Sequence, residues 1–264
     1  MIYGKLPVSF LMALASEKNG STNSAIAQTL LENLDAVRGM GIRELAAFCH
    51  VAPSSVSRFC RELGFEGYAE LREVLETARL YYERPSAAAG PRRRAEEYLQ
   101  KTADSLRLAA ASDDLLKLRK LCCEIDRYPR VAAFGLLKAE AAAISLQCDL
   151  LMLGRQIYTN ASYAQQMDYI LSAGEEDLIL LFSCTGSYFE YHEPGEYRER
   201  LYKPRIWMIA GEKKPREDYI DETVYYPSAH SQAGHPYQLL WIAGLIAQEY
   251  AAYLDGKEDK TGGK

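Results

Sequence analysis

The chain has 264 residues, of which 48% are hydrophobic and 25% charged, and a formal net charge of −5 at pH 7. This is the composition of an ordinary soluble globular protein of one or two domains with chain enough for a sizeable core. The negative balance excludes bulk electrostatic attraction to nucleic acid, so any specific reader of DNA here must concentrate its positive charge locally.

The opening run LPVSFLMALA is preceded by a lone Lys5 and broken by Pro7. That leaves an apolar core of about eight residues, at the short end of what a secretory leader uses. Residues 7–16 are therefore expected to form a short amphipathic helix packed on the first domain of a cytoplasmic chain. No later segment has the length to span a membrane. The six cysteines, Cys49, Cys60, Cys122, Cys123, Cys148 and Cys184, make no C-x-x-C pair and no metal-ligand spacing. Reduced, mostly buried thiols are expected.

Ser21, Thr22, Asn23 and Ser24 cluster as N-cap residues before AIAQTLLENLDAV, in which Ile26, Leu30, Leu31 and Leu34 make one apolar face. A helix is expected over residues 25–37, ended by Gly39 and Gly41. Residues 41–67 then read as two short helices joined by a tight turn. Ile42, Leu45, Ala46 and Cys49 fall at i, i+3, i+4 and i+7, and Val56, Phe59, Cys60 and Leu63 repeat that spacing. Pro53 suits the first position of the second helix, and Gly64 suits a left-handed residue just past its end. With the apolar stripe buried, the outward face carries Ser54, Ser55, Ser57, Arg58 and Arg61. Small hydroxyls permit close approach to a major groove, and arginine bonds guanine edges or phosphates. The same pattern also fits a helical hairpin whose polar face is only solvated.

The run IRELAAFCHVAPSSVSRFCRELGFEGYAELR resembles the helix-turn-helix of the MurR/RpiR family of bacterial transcription regulators. The resemblance rests on Glu44-Leu45-Ala46, Ser54-Ser55-Val56, Arg58-Phe59-Cys60 and Leu63-Gly64-Phe65 followed by Gly67-Tyr68. It implies that Ser54, Ser55, Ser57, Arg58 and Arg61 face a double-stranded DNA operator. Ala52 stands at the N-cap where the family often has Ser, an omission worth about 1 kcal/mol.

A further helix is expected over residues 68–82 through Leu71, Val74, Leu75 and Ala78, closing an all-helical domain of residues 1–83. RPSAAAGPRRR, residues 84–94, has the composition of a hinge. Arg92, Arg93 and Arg94 there either touch DNA phosphate or are solvated. Helices follow over 95–111 and 113–126, the second N-capped by Ser112. The pattern then alternates. Strands are expected at 130–135, 156–159, 177–182, 206–210 and 224–226. Helices are expected at 138–153, 162–172, 197–202 and 234–253, with a disordered tail over 256–264. Such alternation predicts a parallel α/β sheet covered by helices on both faces.

This order resembles the SIS (sugar isomerase) domain that follows the helix-turn-helix in MurR/RpiR proteins, over about residues 98–254. The resemblance implies an all-α helix-turn-helix domain followed by an α/β SIS domain, residues 95–255, that dimerises and holds a sugar-phosphate effector. No cofactor and no metal are implied. The family's first ligand loop, G-x-G-x-S, is Gly135-Leu136-Leu137-Lys138-Ala139 here, without its second glycine and its hydroxyl. The second, S-x-S-G-x-T, is Ser183-Cys184-Thr185-Gly186-Ser187-Tyr188. Lys138, Ser183, Thr185, Gly186 and Ser187 are the expected effector contacts, with Lys138 as compensating cation. The alternative is a solvated Lys138 and a loop kept only for chain turning.

Past that loop, Tyr188, Phe189, Glu190, Tyr191 and His192 form an aromatic, acidic stretch suited to a different ligand or to a pocket filled by its own side chains. His192 between Glu190 and Glu193 is the one acid–base constellation, and His230 and His235 flanking Gly234 make no metal motif. A non-catalytic, homodimeric regulator is expected, the closing helix supplying dimer contacts. The rivals are a sugar-phosphate isomerase and a DNA-binding dimer with a ligand-free SIS-like domain.

Overall fold

In the computed structural model, which describes residues 10–14, 20–63, 65–77, 82–86, 90–191, 195–213 and 217–261, Ser21 opens the first long helix. Its hydroxyl accepts from Ser24 N–H at 3.1 Å, satisfying a donor that the helix start leaves unpaired. This helix, α1 (Thr22–Glu32), stops five residues before the expected end. Asn33 is the C-cap: its backbone N–H makes the last helical bond to Thr29 O at 3.1 Å, and its side-chain amide donates to the same oxygen at 2.9 Å. Upstream, residues 10–14 are helical; the rest of the expected 7–16 helix lies outside the described residues.

The next two helices are α2 (Ile42–Phe48) and α3 (Pro53–Glu62). Glu44 accepts from Gly41 N–H at 2.7 Å and caps α2. The turn closes with His50 N–H on Ala47 O and Val51 N–H on Ala46 O, at 3.1 and 2.9 Å. That pairing places His50 in the left-handed region, φ +54°, a position usually given to glycine. Helix α4 (Tyr68–Thr77) follows. Gly64 lies outside the described residues, but Phe65 N–H donates to Cys60 O at 2.9 Å and ends α3 as expected. Leu45, Ala46 and Cys49 meet Val56, Phe59 and Cys60 in one buried core with Ile26, Leu30 and Leu71. Each large side chain fully buried there contributes about 1.5–3 kcal/mol.

The chain divides into two compact units. One comprises Met1–Tyr82 with the short segments Ser162–Ala164 and Phe189–Pro194; the other comprises the remainder. In the second, α5 spans Pro91–Ala110, so it starts four residues before the expected helix and takes in Arg92, Arg93 and Arg94. Pro91 pre-sets the first helical position, and Arg92–Glu96 and Arg93–Glu97 pair one turn apart at 3.4 and 3.0 Å. The expected hinge thus gives way to helix at its basic end.

The helix expected over 113–126 begins as a 3-10 turn, Asp113–Lys117, with Ser112 as its N-cap, before α6 (Leu118–Arg127). The sheet has four parallel strands in sequence order: β1 (Arg130–Gly135), β2 (Asp177–Ser183), β3 (Arg205–Ala210) and β4 (Glu222–Tyr225). Every residue of β2 is buried, as both faces of a parallel sheet demand. The strand expected at 156–159 forms only one bridge, Tyr158 to Ala132. Its carbonyl and N–H are used by Ala133 and Val131, and the bridge ends there.

Between the strands lie α7 (Glu140–Met152) and α8 (Tyr163–Ser172). The helix expected over 197–202 is a 3-10 segment, Gly195–Tyr202. The closing helix α9, Tyr237–Thr261, carries helical backbone into the stretch expected to be disordered. Lys257 and Tyr253 both reach Asp126, at 2.7 and 3.1 Å, and tie that end to α6. Leu239, Ile242 and Ile246 are buried, with α9 packed on α5, α6 and α7. Leu240, Trp241 and Leu245 on the same helix are half-buried. No helix among the described residues is long and apolar enough to cross a membrane.

Candidate functional site

Helix α3 presents its polar residues as its spacing requires. Ser54, Ser57, Arg58 and Arg61 fall at i, i+3, i+4 and i+7 on one side, with Ser55 at the flank. Ser54, Arg58 and Arg61 are exposed; Ser55 and Ser57 are half-buried. Ala52 is the N-cap and makes no side-chain cap, as its missing hydroxyl dictates. Two bonds fold the polar row back onto the helix: Ser57 Oγ donates to Pro53 O at 3.2 Å, and Arg61 Nε to Ser57 O at 3.4 Å.

Arg58 lies 3.7 Å from Glu62, an exposed pair that contributes little and yields readily to a phosphate. Glu62 also accepts from the Asn23 amide on α1. The i, i+4 spacing could have signalled the first contact; Asn23, thirty-nine residues away, could not be read from sequence.

The second cluster surrounds the carboxyl ends of the strands, where parallel sheets place ligands. Gly135 ends β1 beside a 3-10 turn, Leu137–Ala139, folded so tightly that a Cβ on Gly135 would lie 2.6 Å from Ala139 backbone atoms. Leu137 occupies the place of the motif's second glycine, and its backbone is still left-handed, φ +52°. A leucine holds that conformation at roughly 1–2 kcal/mol. Lys138 projects from this turn and is exposed.

Ser183 ends β2, one residue beyond the Gly135–Phe182 register pair. Gly186, φ +68°, turns the loop, its N–H donating to Ser183 O at 3.2 Å. The hydroxyls of Thr185 and Ser187 hydrogen-bond each other, and Ser187 is buried. Lys138 and the Ser183–Ser187 loop thus leave adjacent strand ends.

Gln166, fully buried on α8, links the two loops: its amide donates to Gly135 O at 3.0 Å and Asn160 O at 2.6 Å, and its carbonyl accepts from Tyr188 O–H at 2.5 Å. Tyr188 is fully buried, so it fills space behind the loop rather than lining an open wall. A lone glutamine on a helix carried no signal in the sequence, and the role of Gln166 was missed. Glu190 is exposed, while His192 and Glu193 lie outside the described residues.

The β3 and β4 loops complete the rim. Gly211 N–H donates to Cys184 O at 3.0 Å, and a Cβ on Gly211 would lie 2.7 Å from that oxygen. Burial pushes the Cys184 thiol up to about 11, which keeps it protonated and unreactive. His230, also left-handed at φ +49°, stands 3.6 Å from Glu212. His235 is buried and held neutral to about pH 4, first by desolvation and then by the nearby charges of Lys138 and His230.

Glu140, in the first turn of α7, opposes an anion beside β1, and burial raises its pKa. Among the described residues no three His, Cys, Asp or Glu side chains stand close enough to hold a metal ion.

Residues 10–79 match the helix-turn-helix domain of the rpiR family. An uncharacterized HTH-type transcriptional regulator of Providencia stuartii is 22% identical over 172 residues, 63% of this chain and 61% of that protein. Another, from Caldanaerobacter subterraneus, is 34% identical over 65 residues, 24% of this chain and 23% of that protein. The chain thus spans about three fifths or less of these relatives' length. The Vibrio vulnificus NanR protein complexed with ManNAc-6P superposes with a TM-score of 0.55 at 17% identity, covering 96% of this chain and 94% of that one. E. coli c3406, also solved as a complex, gives 0.51 at 12% identity, covering 62% of this chain and 90% of that one. At these identities the likeness shows a shared fold.

Proposed function

With an rpiR-family helix-turn-helix domain at residues 10–79 as premise, we propose that the chain is a cytoplasmic, homodimeric DNA-binding transcription regulator whose α/β unit senses a phosphorylated sugar and catalyses no reaction. The observation that carries the DNA half is the polar row of exposed Ser54, Arg58 and Arg61 with half-buried Ser57, on a helix whose other face is locked in the core. That row enters the major groove of an operator, with Ser55 at its edge. Arg58 exchanges Glu62 for a base edge or a phosphate.

Support for the sensing half comes from loop position and from a protein of like fold. Lys138, Ser183, Thr185, Gly186 and Ser187 surround two adjacent strand ends, and the NanR protein of similar fold holds ManNAc-6P. Lys138 takes the phosphate as a point charge, while Ser183, Thr185 and Ser187 offer hydroxyls and Gly186 turns the loop that presents them.

A second reading has its own observation. The Thr185 and Ser187 hydroxyls satisfy each other, and Gln166 and Tyr188 fill the space between the loops. A rim so occupied suits a structural module without a ligand.

A panel of sugar phosphates, followed for both thermal shift and product, separates the readings. A shift without turnover supports the sensor, and neither supports the structural module. Turnover of any sugar phosphate would overturn the non-catalytic assignment.

A further inference from the structure

Glu62 ends α3 and continues its polar row, one turn beyond Arg58. Helix energetics do not account for a carboxylate there. It stands at the negative end of the helix dipole, and arginine followed by glutamate is the weaker order for an i, i+4 pair. Two contacts hold it nonetheless. Its Oε1 lies 3.7 Å from Arg58 Nε, and its Oε2 accepts from the Asn23 side-chain amide on α1. The Arg58 and Glu62 side chains are 60% and 47% exposed, so both face any surface that α3 meets.

The consequence for DNA follows from charge. Along α3 two arginines stand against this one carboxylate, in a chain whose formal net charge is −5. The ion pair itself is weak and opens readily. What persists when Arg58 moves to a phosphate is the carboxylate, which Asn23 holds in place before the same polyanion. Non-specific affinity is made almost wholly of cation–phosphate contacts, and here the repulsion of Glu62 offsets the one that Arg58 makes. A guanine edge deep in the groove differs. It gives Arg58 two acceptors in fork geometry, a bond strong enough to outweigh that repulsion.

We propose that Glu62, positioned by Asn23, is a specificity determinant: it lowers the affinity of α3 for DNA in general and so widens the margin of the operator over other sequences. The proposal rests on the DNA-binding reading above.

The test uses the full chain, a duplex that it selects from random sequence, and a scrambled duplex of the same composition. Anisotropy titrations at several salt concentrations compare them. Glu62→Gln keeps an oxygen for the Asn23 amide, so thermal melting should not change. Its affinity for the scrambled duplex should rise about fivefold, with a salt slope steeper by about one. Affinity for the selected duplex should rise by less than about twofold, so the ratio of the two falls. Asn23→Ala should shift the scrambled duplex the same way by a smaller factor. In the Glu62→Gln background it should change nothing further, a non-additivity that a merely structural tie between α1 and α3 would not produce.

An unchanged ratio in Glu62→Gln overturns the proposal and leaves the DNA-binding regulator standing. Weaker binding of the selected duplex would make Glu62 a reader of bases and overturns it equally. Should Glu62→Gln melt lower than wild type, Asn23→Ala decides: unaltered affinity for the scrambled duplex rejects the role of Glu62. A selection that yields no preferred sequence leaves no margin to widen and also rejects it. A wild-type chain that binds no duplex at any salt concentration overturns both readings.

Discussion

Helix α3 and the strand-end rim were both expected to bind something, and they differ in how their residues come together. The α3 row is set by one helical repeat over ten residues. Burying Val56, Phe59 and Cys60 leaves Ser54, Ser57, Arg58 and Arg61 no other direction. The rim is assembled from four loops separated by up to about a hundred residues, and its hydroxyls had free choice of partner. Two of them chose each other. A periodic pattern fixes where side chains point, whereas a loop motif fixes only where the backbone goes.

The largest effect that separates the two regions comes from removing the support beneath α3. Phe59 is fully buried, its ring centroid 5.9 Å from that of Phe10. Phe59→Ala should cost about 3–5 kcal/mol and abolish DNA binding, leaving the melting of the α/β unit unchanged. Urea unfolding followed alongside operator binding checks this. A loss under about 1 kcal/mol would show that the core does not set the recognition face.

The next effect lies in the rim and is read by pH. His235 titrates near 4 when folded, against an ordinary value of 6.5. Between those values the unfolded chain takes up a proton that the folded chain refuses. Stability is therefore full above about pH 6.5 and falls as pH drops toward 4, by on the order of 3 kcal/mol from this group. His235→Gln should be less stable at pH 7 but show a flatter profile through that window. An unchanged slope would mean that His235 is solvated.

These two sites also show what the sequence made legible. Helix-turn-helix spacing, the Ser112 cap and the apolar runs of β1, β2 and β3 could be read because each depends on neighbours within a few residues. The early end of α1 could not, because Asn33 reads equally well as a helical residue until its bonds to Thr29 are known. Nor could the link through Gln166 and Tyr188, which joins positions 135, 160, 166 and 188. The left-handed Leu137 carries a further lesson: its backbone takes a conformation that favours glycine, which a leucine in the sequence does not signal.

Specific DNA recognition gives a middle-sized effect. Arg58→Ala should lose about 1–3 kcal/mol of operator affinity with relaxed discrimination if Arg58 reads a base edge. Should Arg61 contact phosphate, Arg61→Ala would weaken all sequences alike and reduce the salt slope by about one. Anisotropy titrations at several salt concentrations distinguish them. Unchanged affinity in both variants would remove α3 from the interface.

The smallest effect tests the rim as an anion site. Lys138 favours a phosphate beside β1, but Glu140, two residues on and in the first turn of α7, opposes it. The Glu140 carboxyl is half-buried, and desolvation alone raises its pKa. In its ionised form Glu140 repels a phosphate at that helix start, where a neutral amide would not. Charges at a helix terminus contribute about 0.3–1 kcal/mol, so Glu140→Gln should tighten binding of a sugar phosphate by about two- to fivefold. Lys138→Gln should weaken it by a similar factor. Calorimetric titration of both variants with one ligand from the panel measures the pair. If both leave affinity unchanged while Thr185→Val abolishes binding, the phosphate is held by the β2 loop alone. If none of the three alters a measurable affinity, the ligand lies outside this rim, and the comparison with α3 becomes one between a working surface and a closed one.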